Sequence, residues 1–227
     1  MAKIKAVRVV KTKYGTYSLH YTNPIAGLWL FPEAEKRFVR ITPAQAGELI
    51  SLLPKPITNI VEFAIYSGFR KENILGLRIE NVQFHKLTTM ADVELIIKGG
   101  RNETFPIGKL AVAMLKRDIG DRQEGYVFIN PKTGTRYKSI LKIFDRAVMK
   151  LDLRVNGTKL RFHDLRHVYA TWLLKAGVSL DVIRELRGHR DVYTTSRYAT
   201  LDRKEVSHFL DYLPPIKNLD REKVEVC

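Results

Sequence analysis

An α+β fold, mostly helical and holding one small three-stranded antiparallel sheet, is what this 227-residue sequence predicts. Three observations carry that expectation. Most of residues 41–213 reads as apolar helical segments punctuated by caps and breakers. One stretch, 79–107, changes to short β-type runs separated by turn-rich pieces. The composition, 45% hydrophobic and 28% charged, is that of an ordinary globular chain.

Residues 1–39 read as a lead-in with no clear core, broken at Asn23-Pro24 and again at Phe31-Pro32. From Ile41 the pattern changes. In "TPAQAGELISLLP", Thr42 is a plausible N-cap, Pro43 takes the first helical position and Pro54 stops the helix. "PITNIVEFAIYSGF" follows as an apolar helix ending at Gly68, and "RKENILGLR" as a short third. The runs "ENVQFHK", "DVELIIK" and "ETFPI" then form the sheet, the last two as a hairpin turning at Gly99-Gly100. Helices are expected at 108–119, 138–150, 163–176, 179–187, 191–197 and 202–212. The organisation is therefore a lead-in or linker (1–39), one catalytic-size domain (40–213) and a tail of mixed charge (214–227).

Charge is the informative bulk property. Lys plus Arg is 39 against 24 for Asp plus Glu, a formal +15 and a strong pointer to a polyanion such as DNA or RNA. Charge does not separate an enzyme from a passive binder. No apolar run approaches the ~20 residues that span a bilayer, and the basic N-terminus has no signal-peptide pattern. The single cysteine, Cys227, permits no disulfide within the chain. A cytoplasmic protein is expected.

The chemistry concentrates in "FHDLRHVYATWLLKAGVSLDVIRELRGHRDVYTTSRYA". His163 and Arg166 are three apart, so a helix puts them on one face, near its anion-favouring N-terminus. His167 can pack beneath His163. Read alone, the pair is more simply capping and surface residues of an ordinary helix. Ser179 can cap the next helix and Gly188 end it, displaying His189 at the helix end, or leaving it a loop histidine with no role. Tyr198 is a candidate nucleophile, with Tyr193 its neighbour and rival. A lone tyrosine is more often a core residue, and its pKa near 10 demands help from cations or a base. Arg70 follows the glycine that ends an apolar helix, or else pairs with Glu72. Lys98 sits at the hairpin turn, where a lysine can reach a DNA groove, or simply guards a sheet edge.

The joint pattern resembles the tyrosine recombinase (phage integrase) family. "SGFRKENILGLR" is similar to its first-arginine box, "KGGRNETFPI" to its hairpin lysine and following strand, "HDLRHVYATWLLKAGVSLDVIRELRGH" to its His-x-Leu-Arg-His and Leu-Gly-His boxes, and "TTSRY" to its nucleophile box. Arg187 departs from the pattern, standing where an apolar residue is usual, and Arg190-Asp191 replaces a small polar pair. Either stands to add phosphate or partner contacts. Residues 1–39 are too few for the family's core-binding domain, which is expected to be absent or truncated.

The resemblance implies catalytic roles for Arg70, Lys98, His163, Arg166, His189 and Tyr198. Tyr198 would attack the scissile phosphate, giving a 3′-phosphotyrosyl link and a 5′-hydroxyl. Arg70 and Arg166 would hold the non-bridging oxygens, Lys98 protonate the leaving oxygen, His163 assist the proton or the phosphate, and His189 donate to a phosphate oxygen. No metal, nucleotide or other cofactor is implied, and no small-molecule or membrane partner. The implied partners are double-stranded DNA and three further copies in a tetramer. The segment after Tyr198 would dock on a neighbour through Val206, Phe209, Leu210 and Leu213, or fold back on its own domain. Rivals with other outcomes are a type IB topoisomerase or telomere resolvase, a non-catalytic DNA binder of the same fold, and a metal-dependent nuclease using His163, Asp164 and His167.

Overall fold

The computed structural model describes residues 5–12, 15–22, 41–97, 100–187 and 206–216. The chain divides into two compact units, Met1–Lys36 and Arg37–Cys227. In the first, strands β1 (Lys5–Thr12) and β2 (Gly15–Thr22) pair antiparallel from Lys5↔Thr22 to Thr12↔Gly15. The sequence reading missed this hairpin because it carries no Asn-Gly or Asp-Gly signal.

The second unit opens as its sequence dictates. Helix α1 (Pro43–Ser51) begins with a capping box: Gln45 N donates to Thr42 Oγ1 at 3.2 Å, and Thr42 N donates back to Gln45 Oε1 at 3.0 Å. Helix α2 (Lys55–Ser67) is apolar nearly all round, with Ile57, Thr58 and Ile60 through Ser67 all buried. Such a helix belongs inside a domain. It packs on α4 (Lys109–Ile119) and α6 (Leu165–Lys175). The short α3 (Lys71–Leu75) follows it.

Strands β3 (Val82–Phe84), β4 (Ala91–Ile96) and β5 (Asn102–Ile107) form the expected sheet, antiparallel in the order β3-β4-β5. Ile96 opposes Asn102, and Ile97 N donates to Arg101 O at 2.8 Å, so the chain reverses between Ile97 and Arg101, where its glycines foretold. Two further two-residue ladders, Ile129–Asn130 with Thr135–Arg136 and Arg154–Val155 with Thr158–Lys159, are too short to show a period in sequence. Helix α5 (Leu141–Lys150) buries Phe144, Ala147 and Val148, and α7 (Leu180–Leu186) is capped by Ser179, as expected.

Two expectations need refinement. The helix expected over 163–176 starts as a 3-10 turn, Phe162–Asp164, before α6 takes over at Leu165. The helix expected over 202–212 is, in its described part, a 3-10 helix over Ser207–Tyr212. Of the two readings open for that segment, the described residues adopt the fold-back. Val206, Leu210 and Leu213 are buried in this chain's own core, and Phe209 packs against it. Gly108 admits this approach, because a Cβ there would lie 2.8 Å from Leu210 Cβ. Tyr66 anchors the residues after this turn: its hydroxyl accepts from Ile216 N (2.7 Å) and donates to Pro214 O (3.2 Å). The expected helix over 191–197 lies outside the described residues.

The junction after α2 positions the site. Gly68 ends the helix in the left-handed conformation, φ +64°. A Cβ on it would sit 2.6 Å from the Tyr169 ring, so glycine is demanded twice. The aromatic contacts Phe128–Phe63, Phe63–Phe69 and Phe69–Phe105, with centroids 5.5, 5.9 and 5.9 Å apart, hold the residue just before Arg70. Gly68→Ala is expected to destabilise the chain by more than the ~1–2 kcal/mol that left-handed backbone alone costs. Gly134 is the control, with φ +66° and nothing within 4 Å of a Cβ. Urea denaturation of Gly68→Ala and Gly134→Ala giving equal losses would remove the Tyr169 contact from this account.

Candidate active site

The segment before α6 is set by Asp164. Its carboxylate accepts from Arg161 N at 2.8 Å and from the Arg161 guanidinium at 3.3 Å, and the residue is wholly buried. That bond tightens the chain into the 3-10 turn and leaves His163 exposed. The His163 and His167 rings meet edge to face with centroids 5.9 Å apart, as four-residue spacing requires. With Asp164 turned inward, the trio His163, Asp164 and His167 makes no metal-ligand set. Among the described residues no group of three or more His, Cys, Asp or Glu is placed to hold a metal ion.

Arg166 is the buried centre. It is 5% exposed, at the second position of α6. Its Nη1 donates to the Gly68 carbonyl and its Nη2 to the Arg187 carbonyl at 2.6 Å. One side chain thus joins the α2–α3 junction, the start of α6 and the end of α7. Arg70 stands at the N-cap of α3, partly buried. It does not pair with Glu72, which takes Lys71 Nζ at 3.0 Å instead.

The electrostatics are those of a cationic cluster. Burial, then the charges of Arg187 and Arg70, pushes the Arg166 pKa down to about 9, so the guanidinium remains protonated at neutral pH. Burial likewise lowers Arg187, with Arg70 adding to it. Tyr169 lies beneath, fully buried, its hydroxyl pushed far above its ordinary value and therefore neutral. Partial burial, then Arg166, Arg161 and Arg187 against the opposing pull of Asp164, holds His163 below its ordinary 6.5. Burial and Arg187 act on His167 in the same direction. Both imidazoles are thus neutral at pH 7 and able to take a proton.

Of the six residues singled out in sequence, the structure brings Arg70, His163 and Arg166 into one electrostatic neighbourhood. Lys98, His189 and Tyr198 lie outside the described residues. Arg187 joins the cluster, and its only sequence signal was a charge where an apolar residue is usual.

This fold is shared with solved DNA integrases. Lambda integrase (75-356), as a dimer bound to a COC′ core site, matches with a TM-score of 0.59 at 17% identity, over 80% of this chain and 67% of that one. The integrase from mycobacterium phage Brujita matches with a TM-score of 0.57 at 19% identity, over 88% and 66%. At such identities the likeness concerns the fold. Lambda integrase is also known as a tetramer bound to a Holliday junction.

The sequence itself supplies the family. The model of the phage integrase family matches residues 39–205, and the chain belongs to that family. The integrase of Salmonella phage P22 is 29% identical over 182 residues, covering 75% of this chain and 46% of that protein. Tyrosine recombinase XerA of Pyrococcus furiosus is 27% identical over 186 residues, 79% of this chain and 63% of that protein. Tyrosine recombinase XerC of Haemophilus ducreyi is 31% identical over 215 residues, 89% and 69%. The chain thus spans about half to two thirds of the length of the first two.

The lowered histidine values have a consequence for stability. In the unfolded chain both imidazoles take a proton near 6.5, whereas in the fold they resist it until lower pH. The unfolded state therefore binds more protons below about 6.5, and stability falls with acidification through that window and is level above it. The melting temperature of the DNA-free chain is expected to drop from pH 7 to pH 5.5, and less so in His163→Gln/His167→Gln. Parallel pH profiles for the two proteins would contradict the assignment.

Proposed function

We propose that this chain is the catalytic portion of a site-specific DNA recombinase that cuts and rejoins double-stranded DNA through a 3′-phosphotyrosyl intermediate. The observation that carries the reading is the convergence of Arg70 and Arg166, far apart in sequence, beside His163 in a chain of the phage integrase family. In the proposed step the Tyr198 hydroxyl attacks phosphorus and the bond to the 5′ oxygen breaks. The tyrosine proton passes to neutral His163, and the Lys98 ammonium gives one to the departing 5′ oxygen. Arg70 and Arg166 hold the non-bridging oxygens, where charge builds, and His189 donates to one of them. Fixed cations take the part that metal ions play in other phosphoryl transfers, so no cofactor enters the step.

A homotetramer on DNA, acting in the cytoplasm, is proposed by analogy with the DNA-bound assemblies of lambda integrase. The docking side chains would differ from those first expected. Val206, Leu210 and Leu213 are core residues of their own chain, and freeing them would expose apolar surface to water.

The test is a nicked duplex with candidate core sites, incubated in EDTA and run on a denaturing gel. A covalent protein–DNA adduct is expected, absent in Tyr198→Phe, with its rate lowered on the order of 100-fold in Arg70→Gln, the usual effect of losing one transition-state donor. An adduct that persists in Tyr198→Phe would remove Tyr198 as nucleophile. DNA affinity is expected to be weak and to fall steeply with salt, log K changing by about −0.9 for each phosphate contact in log salt. A salt-independent affinity would contradict a phosphate-dominated interface.

A further inference from the structure

We propose that Arg187 is a third arginine of the phosphodiester site, its guanidinium meeting a non-bridging oxygen of the scissile phosphate alongside Arg70 and Arg166. The inference rests on the strand-transfer reading above and adds a catalytic residue to it.

Arg187 is the C-cap of α7, at φ −90° and ψ −7°, directly before Gly188-His189. Its own carbonyl receives Arg166 Nη2 at 2.6 Å, so its backbone is locked to the centre of the site. Its charge acts on His163, Arg166 and His167 together, and Arg70 acts on it in turn. It therefore sits among the reacting groups and not on a remote face of the domain.

Arg187 Nε is buried and has no hydrogen-bond partner among the described residues. Arg122, by contrast, donates to the carbonyls of Asp118, Ile119, Tyr126 and Val127. Among the described residues, the groups that act electrostatically on Arg187 are Arg70, a cation, and Tyr169, which is neutral. Leaving a donor bare in the interior and adding a cation beside two others both cost stability. An anion with charge spread over several oxygens offsets that cost, and a phosphodiester approaching its transition state is such an anion.

The test compares wild type, Arg187→Leu, Arg187→Lys and Tyr198→Phe of the 227-residue chain. Adduct formation is timed on the nicked duplex with an ordinary scissile phosphodiester, and with a neutral methylphosphonate in its place. Melting temperatures are taken without DNA. Arg187→Leu is expected to cut the rate about 100-fold on the phosphodiester, with Arg187→Lys in between. Most of the deficit should vanish on the methylphosphonate, which has lost the charge that Arg187 answers. The melting temperature of Arg187→Leu should be equal to wild type or higher, since a partly buried cation, whose Nε has no partner among the described residues, is gone.

An equal deficit on both substrates, or an unchanged rate in Arg187→Leu, overturns the proposal, as does a lower melting temperature in both Arg187 variants. If wild type forms no adduct, or Tyr198→Phe still forms one, the strand-transfer reading falls and this proposal with it. An adduct lost in Tyr198→Phe but indifferent to Arg187 overturns the proposal alone.

Discussion

The site depends on one buried guanidinium. Arg166 donates to the carbonyls of Gly68 and Arg187, and so ties together the end of α2, the start of α6 and the end of α7. These segments contribute Arg70, His163 and Arg187 in turn. Hydrogen bonds from a charged donor are among the stronger ones in proteins, and here they are made away from water. The guanidinium is thereby held in one orientation before any ligand arrives. Preorganisation of that kind is what lets fixed charge lower a barrier without reorganising during the reaction.

The rest of the domain is arranged to support that bond. Gly68 offers its carbonyl only because a left-handed residue ends α2 there, and Tyr169 fits against it only because no Cβ intervenes. The phenylalanines from Phe128 to Phe105 fix Phe69 and with it the departure of Arg70 into α3. Further along α6, Trp172 Nε1 donates to the Ile41 carbonyl at 2.8 Å, linking this helix to the first residue of the described domain. Helix α6 therefore carries Arg166 at its beginning and a structural clamp towards its end.

Charge opposes stability in this neighbourhood. Arg166 and Arg187 are pulled from water and placed within reach of Arg70 and of one another, and the pKa of each falls accordingly. Burial, and then the same field, holds His163 and His167 below their ordinary value. A cluster of like charges over a neutral, buried tyrosine is unfavourable for a fold by itself and well suited to an anion. The large apolar core around α2 is what makes such an arrangement tolerable.

Local physics was legible in the sequence, and so were the elements it controls. The Thr42 capping box, the Gly68 stop, the reversal between β4 and β5 and the Ser179 cap each depend on residues a few positions apart, and each formed where the sequence put it. Arg70, His163 and Arg166 could be singled out because their motifs are short and their spacing is that of helices and turns, and the fold places them near one another. Tertiary structure alone decided the rest. It buried Arg166 and aimed it at two carbonyls, turned Asp164 away from solvent, and folded Val206, Leu210 and Leu213 onto Gly108 and their own core. It also drew Arg187 into the cluster. Those outcomes depend on contacts between segments distant in the chain, where burial and electrostatic fields sum over neighbours that no local pattern records.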